Sequence, residues 1–466
     1  MIGLAVSLAL TLGACGTDAQ PAAVALKPPG DWSPWVLPAA SAVEVPPPPR
    51  AGSAAARADE RAVATAVAAR TSEQEQIARD VARTPAVDPW LERAMSLVAA
   101  RAKDPPTASR NYALVAVAMH DAAIAAYHYK RRYGRPAPDV EGALERPADP
   151  SYPSEHAAIA SAAADVLAAL YPEAPAADYR QEAVEIGEAR MAAGASRPSD
   201  VEAGADLGRS VAARVIQRAR TDGADREWTG KPPGGAPRYY SAPPGTAGRP
   251  VSPLAGTWRT WVLSSGRALR PPAPPRFGTP KFDKQVREVV RAKAELTPRQ
   301  EMAARFWAGG EGTPLPPGVW IQVVLSKLKA EPVSTPVATR TLALLTVSMA
   351  DAGVSAWDAK YAYWDPRPEN AVRDSGLEPR WKPLLETPFF PSYVSGHATY
   401  SGAAAEVLSD LYPREAAVWR ARAKEAADSR IWGGIHWPLD GSVGLEMGRR
   451  IGKLVVGRAQ KDTPGR

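Results

Sequence analysis

The sequence predicts an all-α protein made of two related helical bundles, the second of which carries the functional site. Apolar residues recur at spacings of three and four, as at Ala403, Val407, Leu408 and Leu411, in segments of helical length. Alternating strand patterns of any length do not occur. The third observation is an internal repeat. Arg110, Met119, Asp121 and Lys130 return as Arg340, Met349, Asp351 and Lys360, a constant offset of 230. Tyr152, Ser154 and His156, followed by an Ala-rich helix and Leu170-Tyr171-Pro172, return at offset 241 as Tyr393, Ser395 and His397 with Leu411-Tyr412-Pro413. Arg190, Asp200, Gly204 and Gly208 return at offset 240 as Arg430, Asp440, Gly444 and Gly448.

In chain order, residues 1–15 read as a signal peptide. An apolar or small-residue run from Ile2 to Ala14 precedes Cys15, and Leu12-Gly13-Ala14-Cys15 has the form of a lipobox whose thiol is lipidated after export. The run is too short to span a bilayer. No Lys or Arg precedes it, which a start codon assigned too far downstream accounts for. The expected location is the bacterial cell envelope, on its periplasmic or extracellular face, with membrane contact through the lipid anchor only. Residues 16–85 open as a Pro/Ala-rich tether that includes Pro46 to Pro49, read as semi-rigid and unpacked, and end in an N-terminal helical segment. Residues 86–221 form a degenerate bundle, 222–280 a Pro/Gly-rich crossover, and 281–466 the catalytic bundle. Ala and Gly at facing positions predict close helix packing.

Composition removes several function classes. A chain of 466 residues with 45% hydrophobic content can bury a sizeable core, and 23% charged residues exclude wholesale disorder. A net charge of +7 with no dense Lys/Arg run gives no nucleic-acid partner. One Cys and five His exclude a disulfide framework, a Cys-based zinc finger and an iron–sulfur centre.

Three segments of the second half carry the chemistry. The first holds Lys360 and, after Pro366 forces the chain out of helix, Arg367. The second is Ser395-Gly396-His397, with Ser395 as helix N-cap and Gly396 leaving its backbone N–H open to an anion. The third holds Arg430, His436 and Asp440. Three cations, a helix N-terminus and a planar guanidinium fork suit a tetrahedral oxyanion. His436 and Asp440 stand at i,i+4, so the carboxylate can fix one ring nitrogen and leave the other as nucleophile or ligand. His397, just inside a helix N-terminus, is placed as general acid/base.

Together these segments resemble the signature of the type 2 phosphatidic acid phosphatase and vanadium haloperoxidase superfamily. Its middle motif usually reads Pro-Ser-Gly-His, and here Val394 takes the Pro position. The resemblance implies that Lys360, Arg367, Ser395, the Gly396 amide and Arg430 hold the equatorial oxygens of the anion. It makes His436 the ligand of vanadium in vanadate, or the phosphoryl acceptor in a phosphatase. His397 is then the acid/base and Asp440 the residue that orients His436. The first half lacks these features, because Glu155 stands at the Gly position and Ser196 at the His436 position. Its remaining Lys130, His156, Arg190 and Asp200 read as a structural polar network.

The shared pocket leaves two activities open. A two-bundle chain resembles the haloperoxidase branch, as do Trp357 three residues before the Lys and Phe390 five before the Ser, at a halide or substrate pocket. The expected function is therefore a vanadate-dependent haloperoxidase acting on halide and hydrogen peroxide. The alternatives are an acid phosphatase cleaving phosphoesters through a phosphohistidine with no cofactor, and a non-catalytic lipoprotein binder.

Overall fold

The computed structural model describes residues 26–101, 104–242 and 250–464. Cys15, the expected lipidation site, lies outside them. The described residues form fifteen α-helices and no strand. The first half contributes α1 (Ala54–Ala68), α2 (Ser72–Arg83), α3 (Asp88–Arg101), α4 (Pro105–Tyr133), α5 (Glu155–Leu170), α6 (Ala176–Ala192) and α7 (Pro198–Arg220). The second contributes α8 (Pro280–Ala294), α9 (Pro298–Phe306), α10 (Leu315–Ala330), α11 (Thr335–Tyr363), α12 (Pro368–Asp374), α13 (Gly396–Leu411), α14 (Ala416–Trp432) and α15 (Pro438–Ala459).

The repeat appears as matched packing. In the first bundle α5 packs on α4, α6 and α7, and in the second α13 packs on α11, α14 and α15. The 29-residue helices α4 and α11 lie against each other and join the bundles through one hydrophobic core. The stretch 335–374, which begins with α11 and ends with α12, is long and apolar enough to cross a membrane, but its apolar window is buried inside the molecule. The N-caps explain where the paired helices begin. Ser154 accepts the Ala157 amide and Ser395 the Ala398 amide, satisfying donors that the first helical turn leaves free. Small residues then set the spacing: a Cβ on Gly208 would collide with the Ala158 carbonyl oxygen, and one on Gly448 with that of Thr399.

The expected loose tether is not one beyond residue 26. Trp32, Leu37, Val43 and Val45 are buried in the described part of the segment. Asp121 of α4 accepts the backbone N–H groups of Trp35, Val36 and Leu37 at 2.8, 2.7 and 3.0 Å. An extended Pro-rich chain makes no internal hydrogen bonds, so its polar groups must find partners elsewhere. Here the hydroxyls of Tyr133 and Tyr152 donate to the carbonyls of Val45 and Pro46.

The crossover repeats this docking on the second bundle. Asp351 of α11 accepts the amides of Trp261, Val262 and Leu263 at 2.7, 2.8 and 3.0 Å. Tyr363 and Tyr393 donate to the carbonyls of Pro271 and Pro272. Each strap also reaches the opposite bundle. The Arg458 guanidinium of α15 lies 4.1 Å from the Trp35 ring, and that of Arg218 of α7 lies 3.8 Å from the Trp261 ring. The two tryptophans meet edge to face with centroids 6.0 Å apart. The bundles are thus strapped together as well as packed.

Candidate functional site

The three motif segments converge at the N-terminal end of α13. Lys360 ends the buried part of α11, and Arg367 is the N-cap residue of α12, where Pro368 at the first helical position fixes the turn. Gly396 opens α13, next to Ser395 at its cap. A Cβ at Gly396 would stand 3.2 Å from the Trp357 ring, so glycine keeps both the backbone and that aromatic wall in place. Arg430 closes α14, and Asp440 lies in the first turn of α15.

His436 and Asp440 form the centre. The Nδ1–H of His436 donates to Asp440 Oδ2 at 2.8 Å, and Nε2 accepts from Arg367 Nη1 at 3.0 Å. One tautomer satisfies both contacts, with the proton on Nδ1 and the lone pair on Nε2. Burial, followed by the charges of Arg367 and Lys360, holds His436 well below its ordinary pKa, so the ring is neutral. Burial raises Asp440 to about 6 against the pull of Ser392 and Lys360, which leaves it ionised at neutral pH.

Ser392 belongs to this centre and escaped the sequence reading. Its hydroxyl donates to Asp440 Oδ2 at 2.5 Å and stands 3.3 Å from His436 Nδ1. The signal was present, since Ser151 lies at the same 241-residue offset that relates the flanking tyrosines. Asp365 is a second addition. It is buried with Oδ2 unpartnered among the described residues, and burial with the nearby Asp440 charge pushes its carboxyl well above the usual range.

The cations divide into two kinds. Arg367 donates from Nε to Phe390 O at 2.8 Å and from Nη1 to Ile435 O at 2.6 Å, while its buried Nη2 has no partner among the described residues. Arg430 donates from Nε to Ser429 Oγ and from Nη2 to Ala304 O. Burial lowers Arg367 to about 10 and Arg430 to about 9, and both stay charged at neutral pH. Lys360 is spent differently. Its ammonium donates to the carbonyls of Pro391, Ser392 and Val394 at 2.8, 2.9 and 2.7 Å. Burial and Arg367 pull its pKa down, yet three acceptors call for all three N–H donors of the charged form. Lys360 therefore shapes the 391–394 loop and supplies potential, and it can reach an anion only by giving up a carbonyl.

His397 is partly exposed, with Nε2–H shared between the carbonyls of Trp307 and Ala308 at 2.9 and 3.2 Å. Burial and the Arg430 charge outweigh those carbonyls and hold its pKa well below the ordinary value. Trp357 and Phe390 meet with centroids 4.9 Å apart, and Phe390 lies 5.0 Å from Lys360 Nζ and 4.9 Å from the Arg367 guanidinium. All the residues expected at the site, Cys15 apart, thus fall in one neighbourhood.

In the first bundle's equivalent the charges pair with one another. Glu155 sits 2.8 Å from Lys130 and 2.9 Å from His156, and Arg190 pairs with Glu145.

Residues 340–420 and 412–465 match the family model of the VCPO second helical-bundle domain. A vanadium chloroperoxidase of Curvularia inaequalis is 34% identical over 95 residues, 17% of this chain and 16% of that protein. The match thus spans about a sixth of that relative's length. In fold, the chain is similar to a bacterial vanadium-dependent iodoperoxidase (TM-score 0.68, 24% identity, 81% of this chain and 97% of that one). It is also similar to a bacterial vanadium-dependent chloroperoxidase in its holo form (TM-score 0.57, 16% identity, 78% and 93%). The C-terminal bundle has the helical-bundle fold of vanadium haloperoxidases.

Proposed function

We propose that the chain is a vanadate-dependent haloperoxidase that oxidises halide with hydrogen peroxide. The observation that carries this reading is the neutral His436, with Nδ1–H committed to Asp440 and the Nε2 lone pair facing an arginine whose buried Nη2 lacks a partner among the described residues. A lone pair beside an unpaired buried donor suits an oxyanion that takes the nitrogen at its central atom and the guanidinium at an oxygen. Arg367, Arg430, Ser395, the Gly396 amide and Lys360 would hold vanadate, and His436 would coordinate its vanadium. Bound vanadate would supply Lewis-acid activation of peroxide with no redox change at the metal.

The chain's own residues account for the remaining work. Asp440 and Ser392 hold the His436 ring and its tautomer. Arg367 swings its Nη1–H from His436 to an anion oxygen. His397 has Nε2–H tied to carbonyls, which leaves Nδ1 as a base for the proton of peroxide. Trp357 and Phe390 wall the site with apolar surface, where charge interactions are strong.

The test compares two activities of metal-free protein: halogenation of a phenol dye with vanadate, peroxide and iodide, bromide or chloride, and hydrolysis of a nitrophenyl phosphate. Halogenation that needs vanadate and is lost in His436→Ala is the expected result. Phosphate release without halogenation would transfer the site to the phosphatase reading. We also propose that Cys15 anchors the protein to the cell envelope. Cys15→Ser should then be released from membranes as active protein, whereas wild type that is already soluble in a lipidating host would refute the anchor.

A further inference from the structure

The first bundle's equivalent of the site encloses an open cavity of about 330 Å³ lined by Lys130, Glu155, His156, Arg190, Ser196 and Ser334, among others. That volume is at the lower end for small-molecule sites. Lys130, Glu155 and His156 pair with one another, the Tyr127 hydroxyl donates to Asp149, and Arg83 also lines the wall. Arg190 is 4% exposed and gives its Nη groups to Glu145, but its Nε–H is buried with no partner among the described residues. A donor buried in this way is costly unless an acceptor reaches it. The cavity wall also includes Ser334 and Thr335, the start of α11. Ser334 is exposed and its side chain accepts no hydrogen bond from the first turn, so the positive end of a 29-residue helix has no side-chain cap at the rim.

We propose that this cavity is a second ligand site, separate from the His436 centre, that binds a small organic monocarboxylate. The carboxylate takes the free Arg190 Nε–H and displaces Glu145, whose side chain is 31% exposed and free to swing outward. Pro85, Pro147 and Pro150 line the cavity and offer apolar surface to the body of the acid. Phosphate and vanadate are poor ligands here. Burial alone would raise Glu155, but Lys130 and His156 hold it well below the usual carboxylate range, so it stays ionised and repels a multiply charged anion. Burial and Arg190 hold His156 below its ordinary value, so it adds no charge to offset that repulsion.

Calorimetry on the whole protein with benzoate as probe tests the proposal, with acetate and inorganic phosphate as further arms. Saturable benzoate binding is expected, with phosphate leaving it undisturbed. Arg190→Gln should weaken it by about 10- to 150-fold, the loss of a hydrogen bond to a charged group. Glu145→Gln should strengthen it by removing the internal competitor. Ser334→Asp alters an exposed cap position where Asp is well tolerated, and the added charge at the rim should weaken benzoate by about two- to fivefold. These two variants keep the test open if Arg190→Gln does not fold. His436→Ala should bind benzoate as wild type does. The proposal is overturned by absence of saturable benzoate binding, by competition from phosphate, or by affinities unchanged in Glu145→Gln and Ser334→Asp.

Discussion

Asp440→Asn is the most exacting test of the site. Asp440 Oδ2 accepts from His436 Nδ1 at 2.8 Å, Ser392 Oγ at 2.5 Å and the Trp437 amide at 3.2 Å. An amide group keeps the shape but brings an NH₂ to one side. If that NH₂ faces His436, the imidazole proton must move to Nε2, where it meets the donating Arg367 Nη1 only 3.0 Å away. If instead the amide oxygen faces His436, the tautomer survives but the acceptor has lost its charge. Hydrogen bonds to charged groups contribute about 1.5–3 kcal/mol, so vanadate affinity should fall by about 10- to 150-fold. Calorimetry with vanadate measures this directly. His436→Ala should bind still more weakly because the coordinating nitrogen is gone. His397→Ala should bind most tightly of the three while losing about 10²–10⁴-fold in rate. Asp200→Asn in the first bundle removes an equivalent carboxylate, paired with Arg135 at 2.9 Å, and should leave vanadate binding unchanged. Wild-type vanadate affinity in Asp440→Asn would refute the assignment of His436 as ligand.

Asp121→Ala leaves three strap amides without their acceptor and should cost about 3–5 kcal/mol in urea unfolding; a change under 1 kcal/mol would mean that the strap is loosely held. Gly448→Ala drives a Cβ into the Thr399 carbonyl and should cost about 1–3 kcal/mol by the same measurement, with α13 displaced toward the site. All five histidines are held below their ordinary pKa, His120 by burial to about 3. Nitrogen NMR of histidine-labelled protein should therefore show no imidazole midpoint at or above 6.5. Each such histidine binds a proton more readily when unfolded, so its contribution opposes folding only as pH drops below 6.5. A midpoint above 6.5 at His436 would contradict the neutral ring.

The helical bundles and the residues of the site were legible because their signals are local or repeat at fixed offsets. Spacings of three and four mark buried helix faces, and Ser395 before Ala-rich helix marks an N-cap. The strap was not legible as packed structure, because Pro-rich composition gives the same pattern whether the chain is free or docked. A repeat betrays it nonetheless: Trp32, Trp35, Val36 and Leu37 recur as Trp258, Trp261, Val262 and Leu263, at an offset of 226. What makes the motif a docking element is Asp121 or Asp351, more than eighty residues away, which no local pattern exposes. The role of Lys360 was hidden for a similar reason. Its three acceptors belong to a loop about thirty residues on, whose path is set by packing against the straps.

The difference between the bundles comes down to how buried charge is compensated. In the first, Lys130 meets Glu155, Arg190 meets Glu145, and Arg135 bridges Asp59 and Asp200. In the second, Gly396 replaces the carboxylate at the helix N-terminus, and Asp365 replaces Arg135 in the repeat register. Asp365 does not restore the balance, since burial and Asp440 favour its neutral form. Lys360, Arg367 and Arg430 are therefore left facing carbonyl oxygens, a serine hydroxyl and His436, with Asp440 as the ionised counter-charge. Buried cations without counter-ions are costly, and an oxyanion that replaces a carbonyl partner with a charged one relieves that cost. Such an anion binds the folded chain and not the unfolded one, so vanadate should raise the unfolding temperature by mass action. Replacing Gly396 with Glu should remove both the affinity and the stabilisation, because it would supply from within the chain the carboxylate that Glu155 already sets against Lys130 in the first bundle.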